Sequence, residues 1–353
     1  MNIRIKDICR FGKKSDIKAG EGNTKGKYMF FTSSIDKDKR IDKFDYDEEG
    51  IIMGTGGNAT LHYYSGKFAV STDCLVLLPN SSYKCKYLYY FFLHNMRVLE
   101  GGFRGAGLKH TSKSYIENIE LTKTHSLLEQ DKIISVLSNI DNTIVLQNKR
   151  LKLINELTRS LFIEMFGDPS TNPKGWNETT IGNECFYIKD GPHKSLPDIG
   201  KENSGHPFIS VRNIVNGYID LSTARYISDE DYNDAIKKCH PEKGDMLYSK
   251  GGTTGIAKLI DIDNKFANWV HVAVLKFDKV NLNGIFFENM LNGDYCYKQS
   301  QKLTKGIANK DLVLSAISQI KIYRPPIELQ NKFANFVIGT DKSKYSSFSH
   351  LSA

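Results

Sequence analysis

What the chain lacks narrows its function first. Its six cysteines (Cys9, Cys74, Cys85, Cys185, Cys239, Cys296) are scattered, and no pair stands at Cys-x-x-Cys spacing, so neither a zinc site nor a disulfide framework is legible. No apolar run approaches the ~18 residues of a membrane span. The opening MNIRIKDICRFGKK has no apolar core of the kind that marks a signal peptide. These absences together predict a reduced, soluble, cytoplasmic protein with no membrane role.

Signatures of catalysis are also missing. Gly251-Gly-Thr-Thr-Gly255 with Lys258 resembles a phosphate loop only loosely, because the order G-x-x-x-x-G-K-[ST] is absent. Asn172-Pro-Lys-Gly-Trp176 begins like the Asn-Pro-Pro-aromatic motif that acts on a flipped base, but the second proline is missing and no cofactor-binding glycine loop precedes it. A structural turn is the better reading. His240 beside Cys239, and the loop residues His193 and His206, have no metal spacing. His271 beside an apolar strand reads as a satisfied strand residue, and Asp229-Glu230-Asp231 as a solvated surface. With no nucleophile and base in a recognised pattern, the chain reads as a binding protein.

What is present is length, a mild positive charge and a repeat. At 353 residues two domains are expected, each with its own core. Hydrophobic residues at 40% and charged residues at 25% are ordinary for a globular chain, and 48 basic against 40 acidic residues give a net charge of +8, a slight tilt toward polyanions.

The longest regular stretch runs from Ser126 to Phe166. Ile133, Leu137, Ile140, Ile144, Gln147, Leu151, Ile154, Thr158, Leu161 and Met165 follow alternating spacings of four and three, the seam of a coiled coil. A long helix in an ordinary helical core would give a similar stripe. Ser126 and Glu129 form a capping-box pattern at its start, and Gly167-Asp168-Pro169 stops it. A second helix is expected after Pro325-Pro326, with Phe333, Val337, Thr340, Lys344, Ser347 and Leu351 in the equivalent seam positions. Gly339 and a polar tail leave only its first turns able to pair.

Around these helices the chain repeats itself. Strand-like segments are expected at Asn2–Ile8, Ile51–Met53, Cys74–Leu78 and Ile116–Leu121, with a buried helix over Tyr83–Leu99. In the second half, Gly244–Gly255 takes the place of Gly50–Asn58, Phe266–Leu275 that of Phe68–Leu77, and Ile317–Ile322 that of Ile116–Leu121. Gln330 lies 200 positions after Gln130 (330 − 130 = 200). Such matches in one order indicate tandem duplication. The fold class is α+β, with two tandem α/β domains, each followed by a helix. Its boundaries fall at 1–124, 125–167 for the central spacer helix, 168–323, and 324–353 for a short or truncated second helix.

Each half also carries polar glycine-rich loops. Lys13, Lys14, Thr55, Asn58, Thr60, His62, Arg104, Lys109 and His110 stand in the first. The second has Lys194, Ser210, Arg212, Asn213, Lys250, Thr253, Thr254, Lys258, Lys305, Asn309 and Lys310. These side chains suit phosphates and base edges, while glycine lets the backbone come close. Taken singly each loop reads as a surface turn, and duplication copies turns as readily as sites.

At the junction Ile320-Lys-Ile-Tyr-Arg-Pro-Pro-Ile-Glu-Leu-Gln-Asn-Lys-Phe333, and at the helix exit Leu161-Phe-Ile-Glu-Met-Phe-Gly-Asp-Pro169 before Asn172–Trp176, the chain resembles the specificity subunits of type I restriction-modification systems. The likeness covers nearly the whole chain. The first junction, Ile119–Ile133, departs from it by lacking both prolines. The resemblance implies two target-recognition domains that each read half of a split, asymmetric sequence in double-stranded DNA, with two antiparallel helices setting the unread gap. It also implies a chain that is not an enzyme and has no metal or cofactor of its own, two methyltransferase subunits that use S-adenosylmethionine on adenine, and restriction subunits that use ATP and Mg. The other readings are a subunit of a methyltransferase-only or type II bipartite-site system, a stand-alone nucleic-acid enzyme, and a coiled-coil assembly protein.

Overall fold

The computed structural model describes residues 3–121, 123–306 and 310–345, the last five of these without their side chains. By contact density it divides into two units, 1–148 and 149–353, so the boundary falls inside the long helix Leu127–Phe166.

In the first unit six strands form one sheet in the order Cys9–Phe11, Cys74–Pro79, Tyr46–Gly54, Thr60–Val70, Tyr28–Phe31, Arg40–Ile41. All neighbours are antiparallel except Tyr28–Phe31 against Thr60–Val70. The run Ile51-Ile52-Met53 is apolar at every position because this central strand is buried on both faces. Ile51 and Met53 pack with Leu88 and Phe92 of the helix Cys85–His94, while Ile52 packs with Phe31, Phe68 and Val76 on the other face. A short ribbon, Ile3–Arg4 with Glu120–Leu121, ties the beginning of the unit to its end.

The second unit builds the same connections from shorter pieces. Its four-stranded sheet has the order Cys185–Asp190, Val272–Phe277, Met246–Ser249, Ala257–Leu259, which repeats the first four strands above. The parallel pairing recurs as His206–Ile209 with Ala267–Asn268, flanked by Arg225–Ile227. One eleven-residue strand, Thr60–Val70, therefore does in the first unit what two separate strands do in the second. The ribbon recurs as Asn177–Thr180 with Lys321–Arg324.

Two short segments differ from the sequence reading. Ile5–Ile8 forms one helical turn after Ile3–Arg4, and Asn2 lies outside the described residues. Lys113–Glu117 is also helical, leaving only Glu120–Leu121 as strand, and the second copy repeats this with Leu314–Ser318 ahead of Lys321–Arg324. Ser112 explains the first of these helices: its hydroxyl accepts from Tyr115 N at 3.1 Å, capping the turn. A single turn has too little sequence to reveal its period.

The long helix begins and ends as its caps dictate. Ser126 N donates to Glu129 Oε2 at 2.8 Å, and Glu129 N donates back to Ser126 Oγ at 3.4 Å. Gly167 adopts φ 79°, the left-handed conformation that terminates a helix. Asn172 and Trp176 then close a turn on each other: Trp176 N donates to Asn172 Oδ1 and Asn172 Nδ2 to Trp176 O, each at 2.9 Å. The structural turn expected for this motif is what forms.

Each unit holds its helix start with a fully buried glutamine. Gln130 Oε1 accepts from Lys84 N at 2.8 Å, and Nε2 donates to Ser82 O at 3.1 Å and His125 O at 2.9 Å. In the helix Ile327–Tyr345, Gln330 Oε1 accepts from Asn283 N at 2.9 Å, and Nε2 donates to Asn281 O at 3.4 Å and Pro325 O at 2.7 Å. All three hydrogen-bonding sites of each amide are used in the same way.

The predicted seam packs only at its ends. Ile133 lies against the first core, whereas Leu161 and Met165 lie against the second, whose buried members include Phe162, Phe166, Phe333 and Val337. Phe333 meets Phe162 and Phe166 edge-on with ring centroids 5.5 and 5.6 Å away. Leu137, Leu151 and Ile154 are partly covered, but Ile140 and Ile144 are exposed by 47% and 53%. Among the described residues the helix Ile327–Tyr345 packs on the seam through Phe333 and Val337, beside Leu161 and Met165. The two ends of the seam thus lie on different cores, one per unit. Ser347 and Leu351 lie outside the described residues.

Candidate nucleic-acid interface

Two loops face each other in each unit, and their backbones are joined in the same pattern. In the first unit Arg104 N donates to His110 O at 2.8 Å and His110 N to Arg104 O at 2.9 Å, closing the loop Gly101–Gly107 on itself. The loop after Gly54 is pinned to it: Gly57 N donates to Lys109 O at 2.8 Å, and Thr111 N donates to Thr55 O at 3.0 Å. In the second unit Lys305 N and Asp311 N exchange bonds of 2.9 Å. Gly252 N donates to Lys310 O at 3.1 Å, and Leu312 N to Lys250 O at 2.7 Å.

Position by position, Thr55, Gly57, Arg104, Lys109 and His110 correspond to Lys250, Gly252, Lys305, Lys310 and Asp311. Gly57 (φ 83°) and Gly252 (φ 70°) both take the left-handed conformation, which a residue with a Cβ adopts only under strain. At the neighbouring Gly251 a Cβ would collide with the His271 imidazole, so the loop backbone lies against that ring. Backbone groups thus shape the clamp, and the exposed side chains on it are free to differ.

The predicted residues separate into two groups. Lys13, Lys14, Asn58, Arg104, Lys109, His110, Lys194, Arg212, Thr253, Lys305 and Lys310 are exposed, and Thr55 and Ser210 are partly so. Asn309 lies outside the described residues. The remainder are buried. His62 is 2% exposed with Nε2 2.8 Å from Ser34 O, and burial holds its pKa below the ordinary imidazole value. Thr60 is buried beneath Gly54, and Thr254 shares a 2.9 Å hydrogen bond with Thr304. Asn213 accepts from Ser210 N at 2.8 Å and donates to Asp220 O at 2.9 Å, which closes its own turn. Arg212, although exposed, donates to Thr223 O at 2.7 Å.

Two lysines in the second unit are buried with carboxylates. Lys258 Nζ lies 3.2 Å from Asp261 and 3.4 Å from Glu288. Burial pushes the pKa of the Glu288 carboxyl upward, with the Lys258 charge opposing it. Lys250 Nζ lies 3.1 Å from Asp311 and 3.5 Å from Asp190, and Lys238 meets Asp190 at 2.8 Å. A buried cation with its charge already neutralised holds its neighbours in place; it is not available to phosphate. Sequence reasoning passed over Asp190 and Asp311. Aligning the two halves by strand register rather than by their glycines places Asp311 where His110 stands and would have drawn attention to it.

The second unit also contains a groove of about 900 Å³ between the end of the long helix and the helices Gly284–Asn292 and Asp294–Leu303. Phe162, Met290 and Tyr295 line it together with the Arg159–Asp294 ion pair. Among the described residues no helix is long and apolar enough to cross a membrane, and no group of three or more His, Cys, Asp or Glu side chains is placed to hold a metal ion.

Comparison with known proteins agrees with the two-part architecture. The family model for a type I restriction modification DNA specificity domain matches residues 1–156 and 173–343, one copy for each half of the duplication. The type I restriction enzyme MjaVIII specificity subunit of Methanocaldococcus jannaschii is 23% identical over 362 residues, covering 94% of this chain and 84% of that protein. The MjaIX specificity subunit of the same organism is 25% identical over 281 residues, covering 74% of this chain and 63% of that protein. The crystal structure of a type I restriction-modification S subunit from M. genitalium aligns over 100% of this chain and 92% of its own, at a TM-score of 0.70 and 17% identity.

Proposed function

The chain belongs to the family of type I restriction-modification DNA specificity subunits, and on that premise we propose that its two loop clamps each read one half of a split target in double-stranded DNA. The observation carrying this reading is the recurrence of one backbone-pinned clamp in both units, with different side chains displayed on it. Identical scaffolds with unlike contacts read unlike half-sites, so the target is asymmetric. The long helix, at ~1.5 Å per residue roughly 60 Å in length, sets the unread gap between them.

In this reading the exposed Arg104, Lys109, Lys305 and Lys310 contact phosphates, while polar side chains on the clamp contact base edges. The chain performs no chemistry. It delivers two methyltransferase subunits, which carry S-adenosylmethionine, to adenine-N6 in the target. Restriction subunits bring ATP and Mg, and the assembly works in the cytoplasm. The test is methylome sequencing of cells with and without the gene, together with assay of the purified chain for methyl transfer from labelled S-adenosylmethionine. The expected outcome is a bipartite methylated motif lost with the gene and no transfer by the chain alone. Transfer without a second subunit would overturn the reading.

A further inference from the structure

The clamps share their backbone but not the side chains at their centre. Thr55 and Lys250 occupy the same node: Thr55 N donates to Asp73 O and Lys250 N to His271 O, both at 2.8 Å. Thr55 then spends its hydroxyl locally, donating to Asp73 O at 3.0 Å, and reaches no further. Lys250 instead extends beneath the second loop to Asp311 Oδ1 at 3.1 Å, with its side chain only 7% exposed and Asp190 3.5 Å away. Asp311 is different in kind, for its side chain remains 49% exposed while one carboxylate oxygen is held from below. The equivalent residue of the first unit is His110, exposed and fixed by the same reciprocal backbone bonds.

We propose that Asp311 and His110 are the specificity-determining residues of their respective clamps, and that Lys250 is the positioning residue that aims the Asp311 carboxylate. This rests on the function proposed above. The chemistry differs usefully between the halves. A carboxylate only accepts, so it selects a base edge presenting an amino group, as cytosine N4 does in the major groove. An imidazole N–H donates and therefore selects an acceptor such as guanine N7. Without Lys250, Asp190 would keep Lys238 at 2.8 Å, but Asp311 would stand beside a polyanion without the cation that pairs with it and fixes its rotamer.

The test uses the full chain assembled with its modification subunits, selecting from a library of randomised DNA duplexes. Asp311→Asn replaces an acceptor-only group by an amide, and the expected result is a changed base preference, about tenfold or more, at one position of one half-site. Lys250→Met is expected to relax that same position without installing a new preference, and Lys250→Arg to restore it. His110→Asn is expected to alter the other half-site alone. In every variant the untouched half-site and the gap report that the complex is intact. If Lys250→Met fails to assemble, Asp311→Asn and His110→Asn decide, since both side chains are accessible. Unchanged selection by Asp311→Asn, or equal loss at both half-sites, overturns the proposal. Failure of the unsubstituted complex to select any bipartite sequence would instead remove the function on which it rests.

Discussion

A buried glutamine has one carbonyl and two N–H groups to satisfy, and in both units all three find backbone partners. Gln130→Ala leaves Lys84 N, Ser82 O and His125 O without that partner; urea unfolding should show a loss of about 2–4 kcal/mol, since each unsatisfied buried group costs ~1–3 kcal/mol. The cysteines provide a pH prediction. Burial pushes the thiols of Cys9, Cys85, Cys185 and Cys296 up to about 12 from an ordinary value of 9.0. Because the folded value is the higher one, the unfolded chain ionises first. The stability these thiols contribute is complete below pH 9 and is lost as pH rises from 9 toward 12. Urea midpoints at pH 8, 9 and 10 should fall progressively above 9, and a thiol reagent at pH 8 should label the protein only after unfolding. The paired glutamines were legible in the sequence because their spacing repeats. The buried roles of Lys250, Lys258 and His62 were not, because a charged or polar residue in a glycine loop reads as surface until the fold supplies its partner.

At the level of elements, the long helix was legible from caps and period alike, whereas its partner contacts were not. A stripe of apolar residues says that something covers it; it does not say that one neighbour covers all of it. Phe333 is fully buried against Phe162 and Phe166, so Phe333→Ala should cost about 3–5 kcal/mol by chemical denaturation. Ile144, at 53% exposure, should tolerate glutamate at a cost of less than about 0.5 kcal/mol in the isolated chain. Short elements were the hardest to read. Residues 113–117 and 314–318 are single helical turns next to short strands, and five residues cannot distinguish a period of 3.6 from one of 2. The spacer role proposed for the helix makes a prediction of its own. Inserting or deleting whole turns within 141–158, much of it exposed, should change the tolerated gap in the methylated motif and leave both half-sites unaltered. A constant gap with altered half-sites would refute this use of the helix.

Across the whole molecule, the duplication was legible as a sequence of small matches, and the shared strand order makes it a repeat of topology as well as of motif. The division of labour within the sheet was not legible, since one strand in the first unit corresponds to two in the second. A net charge of +8 with exposed cations on both clamps predicts DNA binding that weakens steeply with salt. If six phosphates are contacted, affinity should fall about a thousandfold between roughly 50 and 200 mM salt, measurable by gel shift. A flat salt response would exclude the clamps as phosphate-binding surfaces.

The amide bonds that join the paired loops are indifferent to which side chains hang from them. On the function proposed above, heritable change at a few exposed positions readdresses one half of the protein while the other goes on recognising its old word. On that reading a lineage carrying this architecture rewrites its code piecemeal, by point mutation, without first inventing a new framework to carry it.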